Sequence, residues 1–578
     1  MYPPTRNPKI KFRPEWDIRD FVFLISLFAL IFAIVKTATG FSGTYQDNLE
    51  IEIIPQVLPS YTAQTLLRMV SAYLLSLIFT LVYAYTAYNS RVAEMILLPL
   101  LDILQSIPVL SFLPGVVLAL IALFPGQRIG VELASILLIF TGMTWNMTFS
   151  FYQSLCGIPR ELKEAASIYR LNLWQRFWTL ELPAGAIGLV WNSVMSVAGG
   201  WFFLMAIESF TLGNKNFNLP GLGSFLATAA SKGDFGAIAW GLATLIGVIV
   251  VIDFFIWRPL IAWAEKFKME MVESENIPQS SILDFLRRSP TLRVFRERIL
   301  QPIQQTLDNG LITNFPLQSI PITTKSISTW IQWCNWLFLS GFGIIILWAT
   351  WEAALLLKNL TWQDWKTVIV GAILTALRVI IALILSLLWT VPVGVAIGRN
   401  PRLAQLLQPL VQIAASVPAT ALFPVLLLML TRIGGGLQIG SIALMMLGTM
   451  WYILFNVIAG AQSIPEDLLE AARVYKLSLW ERWRTLILPG IFPYLITGII
   501  TAVGGAWNAS IVSEYVTFQQ QVISTSGLGA TISQATATSN FPLLLAATMV
   551  MSLLVVITNR LVWRPLYRLA QEKYQLLL

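Results

Sequence analysis

Glu164 and Glu470 are each followed by two alanines, in segments that open on Ile158-Pro159 and Ile464-Pro465 and close on Leu182-Pro183 and Leu488-Pro489. A carboxylate beside two methyl-sized side chains suits contact better than bond chemistry. Ala165-Ala166 and Ala471-Ala472 form a low ridge able to enter a groove on another protein, and each glutamate offers an acceptor to a basic group at the groove's edge. At helical spacing Leu162, Ala165, Ala166 and Tyr169 share one face, as do Leu468 or Leu469, Ala471, Ala472 and Tyr475. Pro159 and Pro465 suit a first helical turn, and Pro183 and Pro489 are expected to terminate each segment. The competing reading is an amphipathic helix resting on lipid, but recurrence of the small residues in both segments favours docking. Four other charges stand out: Arg68, Arg378, Glu208 and Glu514 lie within or at the ends of apolar stretches, where charges are paired or functional. An Arg/Glu pair that fixes a helix bundle and a pair of arginines that attracts an anion both remain open.

Catalytic chemistry finds little material. The chain has no histidine, only two cysteines (Cys156 and Cys334), and no Gly-rich phosphate loop ending in Gly-Lys-Ser/Thr. No catalytic residue and no metal site are expected, and the chain should not hydrolyse ATP by itself.

The elements that hold these residues repeat. At an offset of 306, Gly142 pairs with Gly448, Trp145 with Trp451, Glu208 with Glu514, Gly221-Leu222-Gly223 with Gly527-Leu528-Gly529, and Trp257-Arg258-Pro259-Leu260 with Trp563-Arg564-Pro565-Leu566. Upstream, an offset of 310 joins Arg68/Arg378, Ser76/Ser386, Pro99/Pro409, Ser106/Ser416, Pro108/Pro418 and Pro114/Pro424, so the first copy carries four extra residues between Pro114 and Gly142. Two homologous halves sit in one polypeptide. They are not identical: Asn146 stands in register with Tyr452, Asp102 with Gln412 and Phe202 with Asn508. Such differences allow a solute path with unlike walls. The Gly-Leu-Gly segments are expected to be tight turns.

With 578 residues, 56% hydrophobic, 12% charged and a mean hydropathy of +0.70, the chain belongs with integral membrane proteins. Apolar stretches predict spans near 21–38, 67–88, 95–124 (broken near Pro108 and Pro114), 131–155, 186–208 and 236–256, then near 334–356, 371–397, 405–430, 439–460, 490–514 and 541–562. That makes twelve, six per half. Placing the N-terminus in the cytoplasm puts most of the 38 Lys and Arg on that face, together with both termini and both Glu-Ala-Ala segments. The net charge of +8 is accounted for by this bias toward anionic lipid and gives no support to a nucleic-acid partner. An even number of spans per half points both copies the same way, about a pseudo-twofold axis along the membrane normal. Lys36 interrupts the first apolar stretch and the second half has a counterpart, so this stretch reads as a retained span rather than a signal peptide. The expected division is an N-terminal segment, span and outer loop (1–60), a first transmembrane domain (61–260), a polar cytoplasmic linker (261–330), a seventh span and outer loop (331–370), a second transmembrane domain (371–566) and a cytoplasmic tail (567–578). The linker reads as a connector on the membrane surface, with a regulatory insert as the alternative.

The spacing Glu-Ala-Ala, three residues, Gly, nine residues, Ile, one residue, Leu-Pro resembles the signature of the transmembrane subunits of type I ABC importers. Leu377-Arg378, Pro392-Val393-Gly394, Gln408-Pro409-Leu410, Ser416-Val417-Pro418, Ile464-Pro465 and Trp507 with Glu514 resemble the nitrate, sulfonate, taurine and bicarbonate branch. The likeness covers about 61–260 and 371–566. It implies an all-α polytopic membrane protein of two tandem six-helix repeats, a duplicated permease replacing the usual dimer. It further implies that Glu164, Ala165, Ala166 and Arg170, with Glu470, Ala471, Ala472 and Lys476, couple to two cytoplasmic ABC ATPase domains. Those partners would bind ATP and Mg, leaving this chain without a cofactor. An extracytoplasmic solute-binding protein would deliver a small anion such as nitrate, bicarbonate or a sulfonate, and the outer loops would meet it. Two departures stand out: Leu180 and Leu486 replace Ile, and Arg170 and Lys476 replace Gly. A left-handed residue there costs about 1–2 kcal/mol more than glycine, so either the turn is built differently or its partner is specialised. Ion-coupled secondary transport is the rival reading, although it calls for ionisable groups near mid-membrane, whereas the candidates here cluster at span ends.

Overall fold

The structure, a computed structural model, describes residues 49–106, 108–212, 215–267, 350–423, 436–518 and 521–573, with Ile344, Trp348 and Leu426. The span expected at 21–38, most of that at 334–356 and most of the linker lie outside the described residues. The chain divides into two compact units, one containing Gln153–Trp191 and Ile252–Thr323, the other Gly40–Tyr152, Asn192–Val251 and Thr324–Leu578.

In the first half the chain forms α1 (Leu58–Asn89), α2 (Arg91–Ser106), α3 (Leu113–Leu123), α4 (Arg128–Cys156), α5 (Arg160–Ile168), α6 (Leu173–Arg176), α7 (Leu182–Ile207), the hairpin β1–β2 (Ser209–Leu212, Lys215–Asn218), α8 (Leu222–Lys232), α9 (Phe235–Ile252) and α10 (Arg258–Ala264). The second half repeats most of this order. It forms α11 (Trp362–Arg399), α12 (Pro401–Ser416), α13 (Gly436–Gln462), α14 (Glu466–Val474), α15 (Leu479–Arg482), α16 (Leu488–Ser513), β3–β4 (Tyr515–Phe518, Gln521–Ser524), α17 (Leu528–Ala537), α18 (Phe541–Thr558) and α19 (Arg564–Lys573).

Among the described residues, eight helices are long and apolar enough to cross a membrane, fewer than the twelve expected. They run over Pro55–Asn89, Arg128–Cys156, Leu173–Ile207, Phe235–Ala264, Trp362–Arg399, Gly436–Gln462, Leu479–Ser513 and Phe541–Ala570. The stretch at 95–124 is not one helix. Pro108 is extended (φ −60°, ψ 124°), a single 3-10 turn follows at Val109–Ser111, and Pro114 lies in the first turn of α3. Proline lacks the N–H that would continue the ladder, so the polypeptide breaks and restarts there.

Pro183 and Pro489 do not end their segments, contrary to expectation; each is carried inside a continuous helix by a wide turn placed just before it. The π-helical turns Phe177–Glu181 and Trp483–Ile487 close with the N–H of Leu182 on the carbonyl of Phe177, and that of Leu488 on Trp483. The same device precedes Pro259 and Pro565, at Asp253–Trp257 and Asn559–Trp563. A proline ring two residues past such a turn meets a widened helix instead of a clashing carbonyl one α-turn back.

Two antiparallel hairpins were not foreseen in an all-α reading. Ser209 pairs with Asn218 and Leu212 with Lys215, and in the second half Tyr515 pairs with Ser524 and Phe518 with Gln521. In the unit holding the second half, Val395 of α11, Ile453, Val457 and Ala461 of α13, Ile464, Leu469 of α14, and Ile487, Ile491 and Ala502 form one buried cluster. Leu469 therefore anchors α14 to the bundle.

Candidate functional site

Glu208 directly follows α7, and the hairpin returns the chain so that the Leu219 N–H donates to the Glu208 carbonyl at 2.9 Å. Its carboxylate is wholly buried. Oε1 accepts from Thr65 Oγ1 (2.8 Å) and Arg68 Nη1 (2.7 Å), and Oε2 from the Gly223 N–H (2.7 Å). Thr65 Oγ1 accepts in turn from the Leu222 N–H at 2.9 Å, and Arg68 Nη1 also donates to the Pro220 carbonyl at 3.0 Å. The second half repeats this site. Glu514 accepts from Thr375 Oγ1 (2.8 Å), Arg378 Nη1 (2.8 Å) and the Ala530 N–H (3.2 Å), while the Leu528 N–H donates to Thr375 Oγ1 (2.8 Å) and Arg378 Nη1 to the Ser526 carbonyl (2.9 Å). Gly221-Leu222-Gly223 and Gly527-Leu528-Gly529 are thus not tight turns but the starts of α8 and α17, whose orphan N–H groups are satisfied by a buried carboxylate and a threonine hydroxyl. Gly221 and Gly527 are extended at φ 179° and −179°, so handedness does not demand glycine; room does, because a Cβ at either would overlap the carboxylate of Glu208 or Glu514. Both carboxyls, one residue beyond their spans, are raised above the ordinary glutamate value by burial, against the pull of the neighbouring arginine and hydroxyl.

The structure therefore brings Arg68 to Glu208 and Arg378 to Glu514 as buried pairs, and the two sites differ around this shared core. Arg68 is 0% exposed and also holds Glu132, through Nε at 2.5 Å and Nη2 at 2.9 Å. Arg128 closes on Glu132 at 2.9 Å and on Gln64 at 2.8 Å. In the second half Gln438 stands in the register of Glu132 and Leu374 in that of Gln64, and Arg378 Nη2 instead donates to Thr525 Oγ1 at 3.0 Å. Sequence reasoning missed Glu132. The signal was its i, i+4 spacing from Arg128, just where the register between the halves shifts.

In the unit containing the first Glu-Ala-Ala segment, α5 ends in a Schellman turn. The Arg170 N–H donates to the Ser167 carbonyl (3.0 Å) and the Leu171 N–H to that of Ala166 (3.0 Å), with Arg170 left-handed at φ 50°. In the other unit α14 ends the same way, Lys476 to Arg473 (3.0 Å), Leu477 to Ala472 (3.1 Å), with Lys476 at φ 50°. The left-handed turn is kept without glycine. Each turn leads into a capping box, Asn172 with Gln175 and Ser478 with Glu481. The face expected from spacing is divided: Ala166 and Ala472 are buried in their own units, Ala165 and Ala471 are half-buried, and Glu164 and Glu470 are exposed. Ile168, Tyr169, Val474 and Tyr475 stand out at 78–79% exposure. Arg176 pairs with buried Glu181 at 2.7 Å, whereas Ile487 takes the place of Glu181 beside Arg482 in the second half.

Two cavities lie within the unit that contains most of both halves. The larger, about 640 Å³, is lined among others by Phe202, Phe210, Thr420, Ala509, Tyr515 and Thr536; the smaller, about 80 Å³, by Phe202, Phe203, Trp451, Tyr452 and Asn508. Among the described residues neither lining carries Asp, Glu, Lys or Arg. Asn508 Oδ1 accepts from the Val109 N–H at 2.8 Å, tying α16 to the break after Pro108. Asn146 and Gln412 line neither cavity, and the side chain of Asp102 lies outside the described residues. Among the described residues no group of His, Cys, Asp and Glu could hold a metal ion.

This fold defines a class: a multi-pass, duplicated α-helical membrane permease. Residues 72–258 and 390–563 match the family described as binding-protein-dependent transport system inner membrane component, and the chain belongs to that family. By that description it is a membrane component of a transport system. The chain is 30% identical over 140 residues to the nitrate import permease protein NrtB of Leptolyngbya laminosa, covering 24% of this chain and 49% of that protein. It is 31% identical over 126 residues to the bicarbonate transport system permease protein CmpB of Synechococcus elongatus (22% and 44%), and 28% over 158 residues to the taurine transport system permease protein TauC of Escherichia coli (27% and 54%). The chain spans about half the length of these relatives.

Proposed function

We propose that this chain is the permease of an ATP-driven importer for a small anion of the nitrate, bicarbonate or sulfonate type, with both permease halves in one polypeptide. The observation that carries the reading is the recurrence, in each half, of a Glu-Ala-Ala helix with its glutamate exposed, closed by a left-handed basic residue, Arg170 or Lys476. Two ATPase domains dock on α5 and α14. Glu164 and Glu470 accept from basic groups at the rim of each cleft, Ile168-Tyr169 and Val474-Tyr475 supply apolar contact, and Arg170 and Lys476 fix where the helix ends. The distribution of Lys and Arg supports a cytoplasmic position for both helices and both termini in the cell's inner membrane. On the opposite face an extracytoplasmic binding protein delivers solute. The Arg68–Glu208 and Arg378–Glu514 pairs hold the hairpins and α8 and α17 in shape there, and as buried pairs they steady that surface instead of capturing the anion themselves. Closure of the ATPases on ATP draws the two helices together and turns the cavity outward; hydrolysis resets it. Segment 261–330 serves as the cytoplasmic connector between transmembrane domains 61–260 and 371–566.

Uptake of labelled nitrate, bicarbonate and taurine into proteoliposomes, with and without ATPase subunits and binding protein, tests this. Uptake should need ATP, and Glu164→Arg with Glu470→Arg should uncouple hydrolysis from uptake or release the ATPases. Uptake driven by an ion gradient alone, or full coupling in the double variant, would overturn the reading.

A further inference from the structure

The two halves contribute unequally to the cavities. At the larger one, Thr420 of the second half stands in register with Leu110, and at the smaller one Tyr452 stands in register with Asn146 and Asn508 with Phe202. Thr420 Oγ1 is buried without a hydrogen-bond partner among the described residues. A buried hydroxyl left unpaired is unfavourable unless a water or a bound group satisfies it.

Tyr452 occupies a singular place. Gly199 of α7 and Gly505 of α16 are equivalent positions, and Tyr452 lies against both: a Cβ at Gly199 would meet its hydroxyl oxygen at 3.1 Å, and one at Gly505 its ring at 3.4 Å. The side chain thus reaches from the second half to the first and sets its hydroxyl against Gly199, and Tyr452, Gly199 and Gly505 all line the smaller cavity. Ala419 and Phe202 line both cavities, so the two spaces adjoin. The second space, about 80 Å³ against about 640 Å³, is the narrower of the two, so a small planar oxyanion of nitrate or bicarbonate size fits it better than the longer taurine.

We infer that Thr420 and Tyr452 supply neutral O–H donors that hand a small planar oxyanion from the larger cavity through the narrower one, with Tyr452 as the specificity-determining residue. The inference rests on the small-anion reading above. Neutral donors suit passage: they satisfy the oxygens of the solute without the deep well that a buried cation would create. Asn508 acts as a positioning residue, its carbonyl oxygen engaged by Val109.

The test uses the full chain in lipid nanodiscs, with Cys156→Ser and Cys334→Ser and a reporter, Ala415→Cys, placed in the lining of the smaller cavity. Labelling by a small thiol reagent should slow at least about fivefold in millimolar nitrate or bicarbonate and stay unchanged in taurine. Adding Tyr452→Phe should abolish the protection, and Gly199→Ala, which pushes the hydroxyl aside, should weaken it. Equal protection in the Tyr452→Phe chain, or no protection by either anion, overturns the inference. Protection that depends on Tyr452 without any ATP-dependent uptake would retain the site and retire the importer; ATP-dependent uptake unchanged by Tyr452→Phe would do the reverse.

Discussion

Neutralising Glu514 should destabilise the protein more than neutralising Glu208, although the two glutamates stand in the same register. In Glu208→Gln, Arg68 keeps two hydrogen bonds to Glu132, so the loss is that of one charge-assisted contact, about 1.5–3 kcal/mol. In Glu514→Gln, Arg378 keeps only neutral partners among the described residues, the Ser526 carbonyl and Thr525 Oγ1, with its side chain 10% exposed. Removing one partner of a buried ion pair costs about 3–5 kcal/mol because the other charge is stranded. The gap of about 1–2 kcal/mol corresponds to a factor of roughly 5–30 in the ratio of folded to unfolded protein. Because unfolding of such proteins is commonly irreversible, the measurement is the rate of loss of monodisperse protein in nanodiscs at a fixed elevated temperature. The double change Arg378→Met with Glu514→Gln should recover most of the loss, since it removes the stranded cation. Salt should change little, as buried charges are poorly screened. Equal decay of the two single variants, or a double variant no better than Glu514→Gln, would refute the reasoning.

Gly221→Ala and Gly527→Ala should each reduce thermal stability by about 1–3 kcal/mol, because the new methyl overlaps a carboxylate that has little room to move; heating curves of the purified chain read this. Arg170→Gly and Lys476→Gly relieve a left-handed backbone, so each should leave stability unchanged or raise it by up to about 1 kcal/mol on the same assay, whereas Arg170→Val should lower it.

Much of this architecture was legible because membrane spans and duplication leave long-range signals. The eight observed long helices fall on predicted stretches, and Arg68 and Glu208, singled out as charges near span ends, meet in one buried pair. Other features were hidden for definite reasons. Proline at 183 and 489 predicts the end of a segment, but a wide turn upstream absorbs it, and that turn is a matter of backbone hydrogen bonding that residue type alone does not announce. Periodicity gave α5 and α14 an apolar face without saying which body covers it, so the inward turn of Ala166 and Ala472 was not foreseen. Glycine at Gly221 and Gly527 suggested backbone freedom, while its use is to admit a carboxylate from a residue far upstream. Glu132 lies beside the four-residue shift between the copies, so comparison of the halves could not flag it. The residues that distinguish the cavities, Tyr452 with Asn508 and Phe202, were visible as mismatches in register; their convergence on one space was not.

A tyrosine wedged between two equivalent glycines bears on ancestry. In a symmetric assembly built from two copies of the second half, each subunit would send its own ring into the same gap, and two phenols cannot share it. With Asn146 in the register of Tyr452, the duplicated chain places a single aromatic in that gap. Lineages retaining separate, identical subunits should therefore carry a slimmer side chain at that point.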